Sequence, residues 1–128
     1  MNDPLEENKR IISEWHEIAI NQRKPEEAVV KYLGPNYRQH NPGAADGPES
    51  FIAAVKGLTK TFPELTMEPK RIIAEGDLVV LHSHLILKPG DRGTAVVDIF
   101  RLENGKIVEH WDVVQEVPEK SANNNTMF

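Results

Sequence analysis

The chain has 128 residues, 15 Lys and Arg against 20 Asp and Glu, a formal net charge of −5 and no cysteine. This length suits one domain with a core and a small cavity, and it is too short for a separate cofactor-binding domain. The negative charge disfavours nucleic acid and anionic lipid as partners. The lack of cysteine excludes disulfides, thiolate nucleophiles and cysteine-ligated zinc, and it fits a reducing compartment.

The N-terminal segment reads Met-Asn-Asp-Pro-Leu-Glu-Glu and has neither the basic region nor the apolar region of a signal peptide. No later stretch approaches the roughly 20 apolar residues that a membrane span needs. We therefore expect a cytoplasmic protein that acts on a small molecule, with no membrane partner.

Three helices are predicted in the first half of the chain. Asp3 is placed to cap the first helix, with Pro4 at its first position, and an apolar stripe continues it to about Arg23. Pro25 opens a second helix that Gly34 closes as a left-handed cap. A third helix follows the turn-rich segment after His40, and the predicted helices span residues 3–23, 25–34 and 48–62.

From Leu65 onward the pattern changes to strands, and the turn Asn104-Gly105 is typical of a two-residue hairpin. The predicted strands span residues 65–74, 78–87, 94–102 and 106–115. Helices followed by strands predict an α+β domain in which helices cover one face of an antiparallel sheet. The tail from Ser121 is polar until its last two residues, so its composition favours fraying.

The hairpin around Asn104-Gly105 carries three groups suited to acid–base chemistry. Because strand side chains alternate between faces, Asp98 shares a face with Phe100, and His110 and Asp112 share one with Val108. Charge among apolar neighbours is costly unless it is paired or used. We therefore expect Asp98, His110 and Asp112 to meet in one cavity.

Two more histidines, His82 and His84, share one face of the strand 78–87. If that face points inward, both converge with Asp98, and His40 stands at the rim. Both faces of the strand also carry aliphatic residues, so the alternative, an outward pair on a solvated sheet, stays open. We take the inward orientation as the prediction.

Other interpretations of these residues compete with acid–base chemistry. Asp98 and Asp112 can instead be structural carboxylates paired with arginines, the candidates being Arg38, Arg71 and Arg101. Histidines with a carboxylate also suit zinc or iron, but no HExxH helix accompanies them, so we expect neither metal nor cofactor. His16 lies beside the apolar stripe of the first helix and is assigned no role.

Several segments together resemble the SnoaL-like polyketide cyclase family of the nuclear transport factor 2-like superfamily. The segments are Tyr37-Arg-Gln-His-Asn-Pro42, Asp46-Gly47, Val97-Asp-Ile-Phe-Arg101, Asn104-Gly-Lys-Ile-Val-Glu-His-Trp-Asp-Val-Val114 and Ala122-Asn-Asn-Asn-Thr-Met-Phe128. The resemblance covers nearly all of residues 1–128. It implies one domain, a cone-shaped α+β barrel in which a curved antiparallel sheet and three N-terminal helices enclose a pocket.

The family's cyclases catalyse an intramolecular aldol condensation without metal or cofactor, and the resemblance implies that Asp112 is the acid–base residue. His110, Asp98 and His82 complete the catalytic set that we expect. The expected substrate-binding residues are His40, His84, Trp15, Phe51, Phe100 and Tyr37. The resemblance also implies that Met127 and Phe128 fold back near the pocket or a subunit interface, which replaces the frayed tail.

The sequence therefore predicts a cofactor-independent enzyme that removes a proton next to a carbonyl of a small, mainly apolar substrate, by cyclisation or isomerisation. The alternative is a non-catalytic protein that binds a small molecule in the same pocket. The resemblance implies a homodimer or homotetramer. We expect the interface on the sheet's outer face, through exposed Val79, Leu81, Leu85 and Trp111.

Overall fold

The computed structural model describes residues 3–128, and it confirms the predicted α+β class. Its elements are α1 (Pro4–His16), a π-helical segment (Glu17–Asn21), α2 (Pro25–Tyr32), β1 (Leu33–Gln39), α3 (Pro48–Thr61), β2 (Thr66–Glu75), β3 (Leu78–Ile86), β4 (Thr94–Glu103) and β5 (Lys106–Glu116). As predicted, Asp3 caps α1, where its carboxylate accepts the backbone N–H of Leu5 at 2.9 Å. Across residues 3–128, none of the helices combines the length and the apolar character that crossing a membrane requires.

The five strands form one curved sheet in the order β1-β5-β4-β3-β2. β1 runs parallel to β5, and the other neighbours are antiparallel, so the sheet is mixed. β1 and β2 are its two edges, and the sheet does not close on itself. We call the face that packs against the helices the inner face and the opposite one the outer face.

The core lies between α1 and the inner face. Ile12 and Trp15 of α1 are buried in one apolar cluster with Leu81 of β3, Phe100 of β4 and Ile107 of β5. The cluster forms because α1 carries a stripe of apolar residues, and burying this stripe against the apolar face of the sheet removes both from water. The same packing fixes which face of each strand points toward the helices.

The hairpin between β4 and β5 has the predicted turn, with positive φ at Asn104 (51°) and Gly105 (78°), as a type I′ turn requires. A bulge shifts the register, so that Ile107 and His110 both point inward. The prediction that His110 and Val108 point to the same face is therefore wrong. Ile107 is fully buried on that face, and the extra residue of the bulge lies between them.

Gly34 is not the predicted helix cap, because α2 passes directly into β1 and Gly34 is a strand residue. A Cβ atom at this position would lie 3.3 Å from both the carbonyl oxygen of Ile107 and Cγ1 of Val108. Gly34 thus allows β1 to approach the bulged part of β5. That parallel pairing carries the segment from Tyr37 to Asn41 to the polar end of the cavity described next.

Candidate active site

A cavity of about 190 Å³ lies between the inner face and the helices. It is smaller than the roughly 300–1,000 Å³ typical of sites for drug-sized ligands. The rings of Trp15 and Phe51 are in contact at 4.5 Å between centroids on its helical side. Its lining residues are Trp15, His16, Ile20, Tyr37, Gln39, Phe51, Ala54, Val55, Leu58, Met67, Asp98, Phe100, His110 and Asp112.

Asp98, His110 and Asp112 meet at the polar end of this cavity, which confirms that the hairpin brings them together. Asp98 lies directly opposite Asp112 in the β4–β5 register, and each of the three groups has a ligand-type atom within 4.8 Å of the others. Asp98 and His110 are buried, with 6% and 8% exposure, and Asp112 is half-buried. The cavity therefore has a polar end on the sheet and an apolar end on the helices.

The hydrogen bonds of His110 determine where its protons lie. Gln39 Oε1 accepts the backbone N–H of Asn41 at 3.0 Å, which fixes the orientation of the Gln39 amide. His110 Nδ1 lies 2.8 Å from the same oxygen, and since an amide oxygen only accepts, Nδ1 carries a proton and donates it. His110 Nε2 lies 2.8 Å from Asp98 Oδ1, and two unprotonated atoms would repel at this distance. One proton therefore lies between Asp98 and His110, and the pair has no net charge.

Asp112 has a different environment from Asp98. Its two carboxylate oxygens accept hydrogen bonds from the side-chain amide of Asn41, at 2.9 and 3.0 Å. An amide is neutral, so it orients the carboxylate without neutralising its charge. Of the two carboxylates that line the cavity, Asp98 has a histidine partner, whereas Asp112 has none among residues 3–128.

Tyr37 adds a hydrogen-bond donor at the same end. Its hydroxyl oxygen accepts from Gln39 Nε2 at 2.9 Å, which leaves the O–H proton free to be donated. Burial raises the pKa of Tyr37 far above its ordinary value, and the nearby charges of Asp98 and Asp112 raise it further. The phenol thus keeps its proton and can donate to an oxygen atom of a ligand.

His82 and His84 do not line the cavity, and the prediction that they point inward is wrong. In the β3–β4 register Leu81 lies opposite Asp98, so Leu81 points inward and both histidines point outward. Leu81 and Val79 are 1% and 0% exposed. The physical reason is that this face of β3 buries aliphatic side chains without the cost of burying two imidazoles.

On the outer face, His82 and His84 take part in surface contacts. Arg71 donates to His82 Nδ1, and His84 Nε2 donates to the carbonyl of Arg92 at 2.8 Å. The ring of Phe128 stacks on His84 at 3.9 Å between centroids. The tail therefore folds back, but onto the outer face of β3 and not near the cavity.

His40 also lies on the outer face, so its predicted place at the cavity rim is wrong. It follows β1, stacks on Trp111 at 4.8 Å between ring centroids, and its Nε2 lies 2.6 Å from Glu109 Oε2. Arg101 Nε donates to the other oxygen of Glu109 at 2.9 Å. His40 and Arg101 together hold the pKa of Glu109 below its ordinary value.

Two alternatives from the sequence are also corrected. Arg101 and Arg71 bind Glu109 and His82 on the outer face, so neither is the partner of Asp98, which bonds His110. The predicted interface residues Val79 and Leu81 are core residues, because β3 turns this face toward the helices. Leu85 and Trp111 are half-buried.

A metal site of the kind considered from the sequence is not supported at His82 and His84, whose side chains bind Arg71 and Arg92 on the outer face. Asp98, His110 and Asp112 are close enough together to offer one ligand atom each to a cation. Both nitrogens of His110 already take part in hydrogen bonds, so an ion there would have to displace the proton that it shares with Asp98.

Two polar residues that line the cavity, His16 and Gln39, were missed in the sequence, as was Asn41, which binds Asp112. Gln39 and Asn41 lie in the segment 37–42 that carries the family resemblance, and their alternation with Tyr37 was a usable signal. They reach the site because β1 pairs in parallel with β5, with Gln39 opposite His110. Of the expected substrate-binding residues, Trp15, Phe51, Phe100 and Tyr37 line the cavity, and their role stays a prediction.

A family model described as the SnoaL-like domain matches residues 12–110. The chain belongs to the SnoaL-like domain family. The matched segment contains Tyr37, Asp98 and His110, whereas Asp112 lies just outside it. A search of curated proteins finds no match.

Several solved structures have the same fold as this chain. TsrD from Streptomyces laurentii is 25% identical, with a TM-score of 0.70 over 89% of this chain and 91% of TsrD. A candidate SnoaL-like polyketide cyclase from Jannaschia sp. CCS1 is 21% identical, with a TM-score of 0.72 over 89% and 90%. AclR from Streptomyces galilaeus, a candidate hydroxylase, is 23% identical, with a TM-score of 0.70 over 87% and 90%. A shared fold does not by itself select a reaction, so the function has to be argued from the site.

Proposed function

We propose that this SnoaL-like protein is a cofactor-independent enzyme that removes a proton next to a carbonyl group, with Asp112 as the base. The observation that carries the proposal is the difference between the two carboxylates of the cavity. Asp98 shares a proton with His110, whereas within residues 3–128 Asp112 is bound only by the neutral amide of Asn41. Asp112 is therefore the carboxylate with a free lone pair for a substrate proton.

The reaction begins when Asp112 takes a proton from the carbon beside the carbonyl. The C–H electron pair forms the carbon–carbon double bond of an enolate, and the carbonyl electrons move to the oxygen. The O–H group of Tyr37 stabilises this oxygen by donating a hydrogen bond. In an aldol cyclisation the enolate carbon then attacks a second carbonyl. In an isomerisation the substrate carries a carbon–carbon double bond beside the deprotonated carbon, so the enolate is a dienolate, and it is protonated at the far end of that double bond.

The neutral pair of Asp98 and His110 is suited to supply a proton later in the reaction. In an aldol closure the new alkoxide takes the proton that lies between His110 Nε2 and Asp98 Oδ1, and the pair becomes negatively charged. The protonated Asp112 returns its proton to the pair, directly or through solvent, which restores both groups. One group thus accepts a proton while the other donates one, which general acid–base catalysis requires.

The lining of the cavity supports a small, mainly apolar substrate. Trp15, Phe51 and Phe100 form much of the apolar surface, and the polar groups lie at one end. A carbonyl compound with its reacting end toward the sheet and its hydrocarbon part toward α3 fits this division. The volume of about 190 Å³ favours a compact ring or a short chain.

Deuterium exchange tests the proposal without knowledge of the natural substrate. Cyclopentanone, cyclohexanone and cycloheptanone are incubated with the protein in D₂O, and the loss of their α-proton signals is followed by NMR. We expect exchange faster than in buffer for the wild-type protein, and a rate lower by about 10²–10⁴-fold for Asp112→Asn. Ketones that bind but exchange no faster than in buffer would overturn the proposal and favour the non-catalytic binding protein.

We further propose that the protein acts in the cytoplasm as a homodimer or homotetramer. The outer face supports assembly, because Val97 and Val113 are paired across β4 and β5 there and Val113 is 73% exposed. The charge substitution Val113→Glu is expected to reduce the mass in solution to that of one chain. A wild-type protein that is already monomeric by light scattering would contradict this.

A further inference from the structure

His16 is a polar residue of the cavity that the proposed reaction does not use. It is the last residue of α1, it is 4% exposed, and it lines the cavity. Neither of its ring nitrogens has a hydrogen-bond partner in the part of the chain that the structure describes, residues 3–128. The nitrogens of His110, in contrast, are both bonded.

Leaving His16 without partners has a cost. A buried donor or acceptor that makes no hydrogen bond destabilises a protein, and an apolar side chain of similar shape avoids that loss. An aromatic or aliphatic residue beside Trp15 would extend the core of α1 without this penalty. A buried imidazole at the wall of a cavity is therefore better explained by a ligand that completes its hydrogen bonds.

The backbone next to His16 supports the same conclusion. Residues Glu17–Asn21 form a π-helical turn, and such turns within helices occur frequently at functional sites. The side chain of Asn21 holds this turn to β2 by two bonds to the backbone of Met67, one to its N–H and one to its carbonyl, each 3.1 Å long. Ile20 and Met67 both line the cavity, so the turn shapes the wall beside His16.

Burial favours the neutral form of the His16 imidazole over the cation. Burial lowers the pKa of His16, while the negative charges of Asp98 and Glu17 oppose this to a smaller extent. A neutral imidazole offers one N–H donor and one lone pair. It therefore suits a neutral oxygen-bearing ligand better than an anion.

We propose that His16 is a substrate-binding residue that hydrogen-bonds to an oxygen atom of the substrate. The cavity consequently selects a carbonyl or hydroxyl compound over a hydrocarbon of the same shape. This inference deepens the proposed function and rests on it for the assignment of the cavity as the substrate site. Tyr37 on β1 and His16 on α1 then present donors from the sheet and from the helical layer to the oxygenated part of one ligand.

A matched pair of ligands tests the role of His16. Cyclohexanone and methylenecyclohexane have nearly the same shape and differ in the carbonyl oxygen, and NMR titration measures the affinity of each. For His16→Phe we expect cyclohexanone to bind about tenfold more weakly, which corresponds to roughly 1.4 kcal/mol. The affinity for methylenecyclohexane should change less than twofold, and His16→Gln, which keeps a donor, should recover part of the ketone affinity.

Unfolding measurements separate this role from a structural one. His16→Phe removes an unsatisfied buried group, so its melting temperature should equal or exceed that of the wild type. Equal changes for the two ligands, or no change for either, would overturn the proposal, as would a loss of folding in both His16→Phe and His16→Gln. We expect Asp112→Asn to keep the preference for the ketone and to lose deuterium exchange. Ligand preference therefore tests the role of His16, deuterium exchange tests the proposed function, and the two can fail separately.

Discussion

Two histidine–carboxylate pairs lie on opposite faces of the same sheet. On the inner face, His110 Nε2 is 2.8 Å from Asp98, and on the outer face His40 Nε2 is 2.6 Å from Glu109. The inner side chains are 10% and 9% exposed, whereas in the outer pair the His40 side chain is 38% and the Glu109 side chain 11% exposed. Glu109 has a second partner in Arg101, which also binds Glu103, so its charge stays compensated when His40 is removed.

The two pairs show that the distance between the charged atoms does not by itself decide how much a pair contributes to stability. Exposed ion pairs contribute about 0–1 kcal/mol, because water and salt screen them. A buried pair leaves an uncompensated polar group when one partner is removed, and it borders a cavity where a ligand can exchange protons with it. Since Glu109 and His110 are consecutive residues, a single step along β5 separates a surface network from a candidate active site.

The largest expected effect is on stability, from breaking each pair in the same way. His110→Phe leaves the buried carboxyl of Asp98 without its partner, and we expect the free energy of unfolding to fall by about 3–5 kcal/mol. His40→Phe keeps the ring that stacks on Trp111, and we expect a loss of at most about 1 kcal/mol. Urea unfolding of both variants checks this, and equal losses would remove the distinction between the two faces.

A smaller effect is expected from Asn41→Leu. This change removes the amide that orients Asp112, and a hydrogen bond to a charged group is worth about 1.5–3 kcal/mol, or roughly tenfold to a hundredfold in the deuterium exchange rate. Asn36→Leu is the control, because Asn36 is exposed on β1 and does not line the cavity. An Asn41→Leu protein that exchanges ketone protons at the wild-type rate would show that Asp112 needs no orientation by Asn41.

The smallest expected effect is a pH dependence due to His16. Since burial lowers the pKa of His16, the unfolded chain takes up a proton below about pH 6.5 while the folded chain does not. This part of the stability is present at pH 7.5 and is lost as the pH falls through 6.5 toward the lower folded value. His16→Phe should therefore lose less free energy of unfolding between pH 7.5 and pH 5.5 than the wild type, whereas His40→Phe should not show this protection.

The hairpin could be predicted from the sequence because its turn is unambiguous. Asn104-Gly105 fixes a two-residue connection, and the pairs next to the turn, such as Leu102 with Ile107, follow from it. Continued without interruption, this register would place Asp98 opposite Trp111. The bulge near Arg101 was not predictable from alternation, yet it shifts the register so that Asp98 lies opposite Asp112 and shares the inner face with it. Local turn chemistry therefore predicted the hairpin, and the bulge decided which residues face each other at the site.

The orientation of β3 could not be predicted in the same way. Both of its faces carry aliphatic residues, and a long turn rich in Gly and Pro connects it to β4, so neither alternation nor turn type fixes the register. Packing against α1 selects the face with Val79 and Leu81, which places His82 and His84 outside. The parallel pairing of β1 with β5 joins residues far apart in the chain, and no local pattern indicates it.

The most direct test of Asp112 as the base compares two carboxylates of β5 that point to opposite faces. Asp112→Asn and Glu109→Gln each replace a carboxylate by the matching amide, and the rate of cyclohexanone deuterium exchange is measured for both. We expect a loss of about 10²–10⁴-fold for Asp112→Asn and less than twofold for Glu109→Gln. Similar rates for the two variants would contradict the assignment of Asp112 as the base.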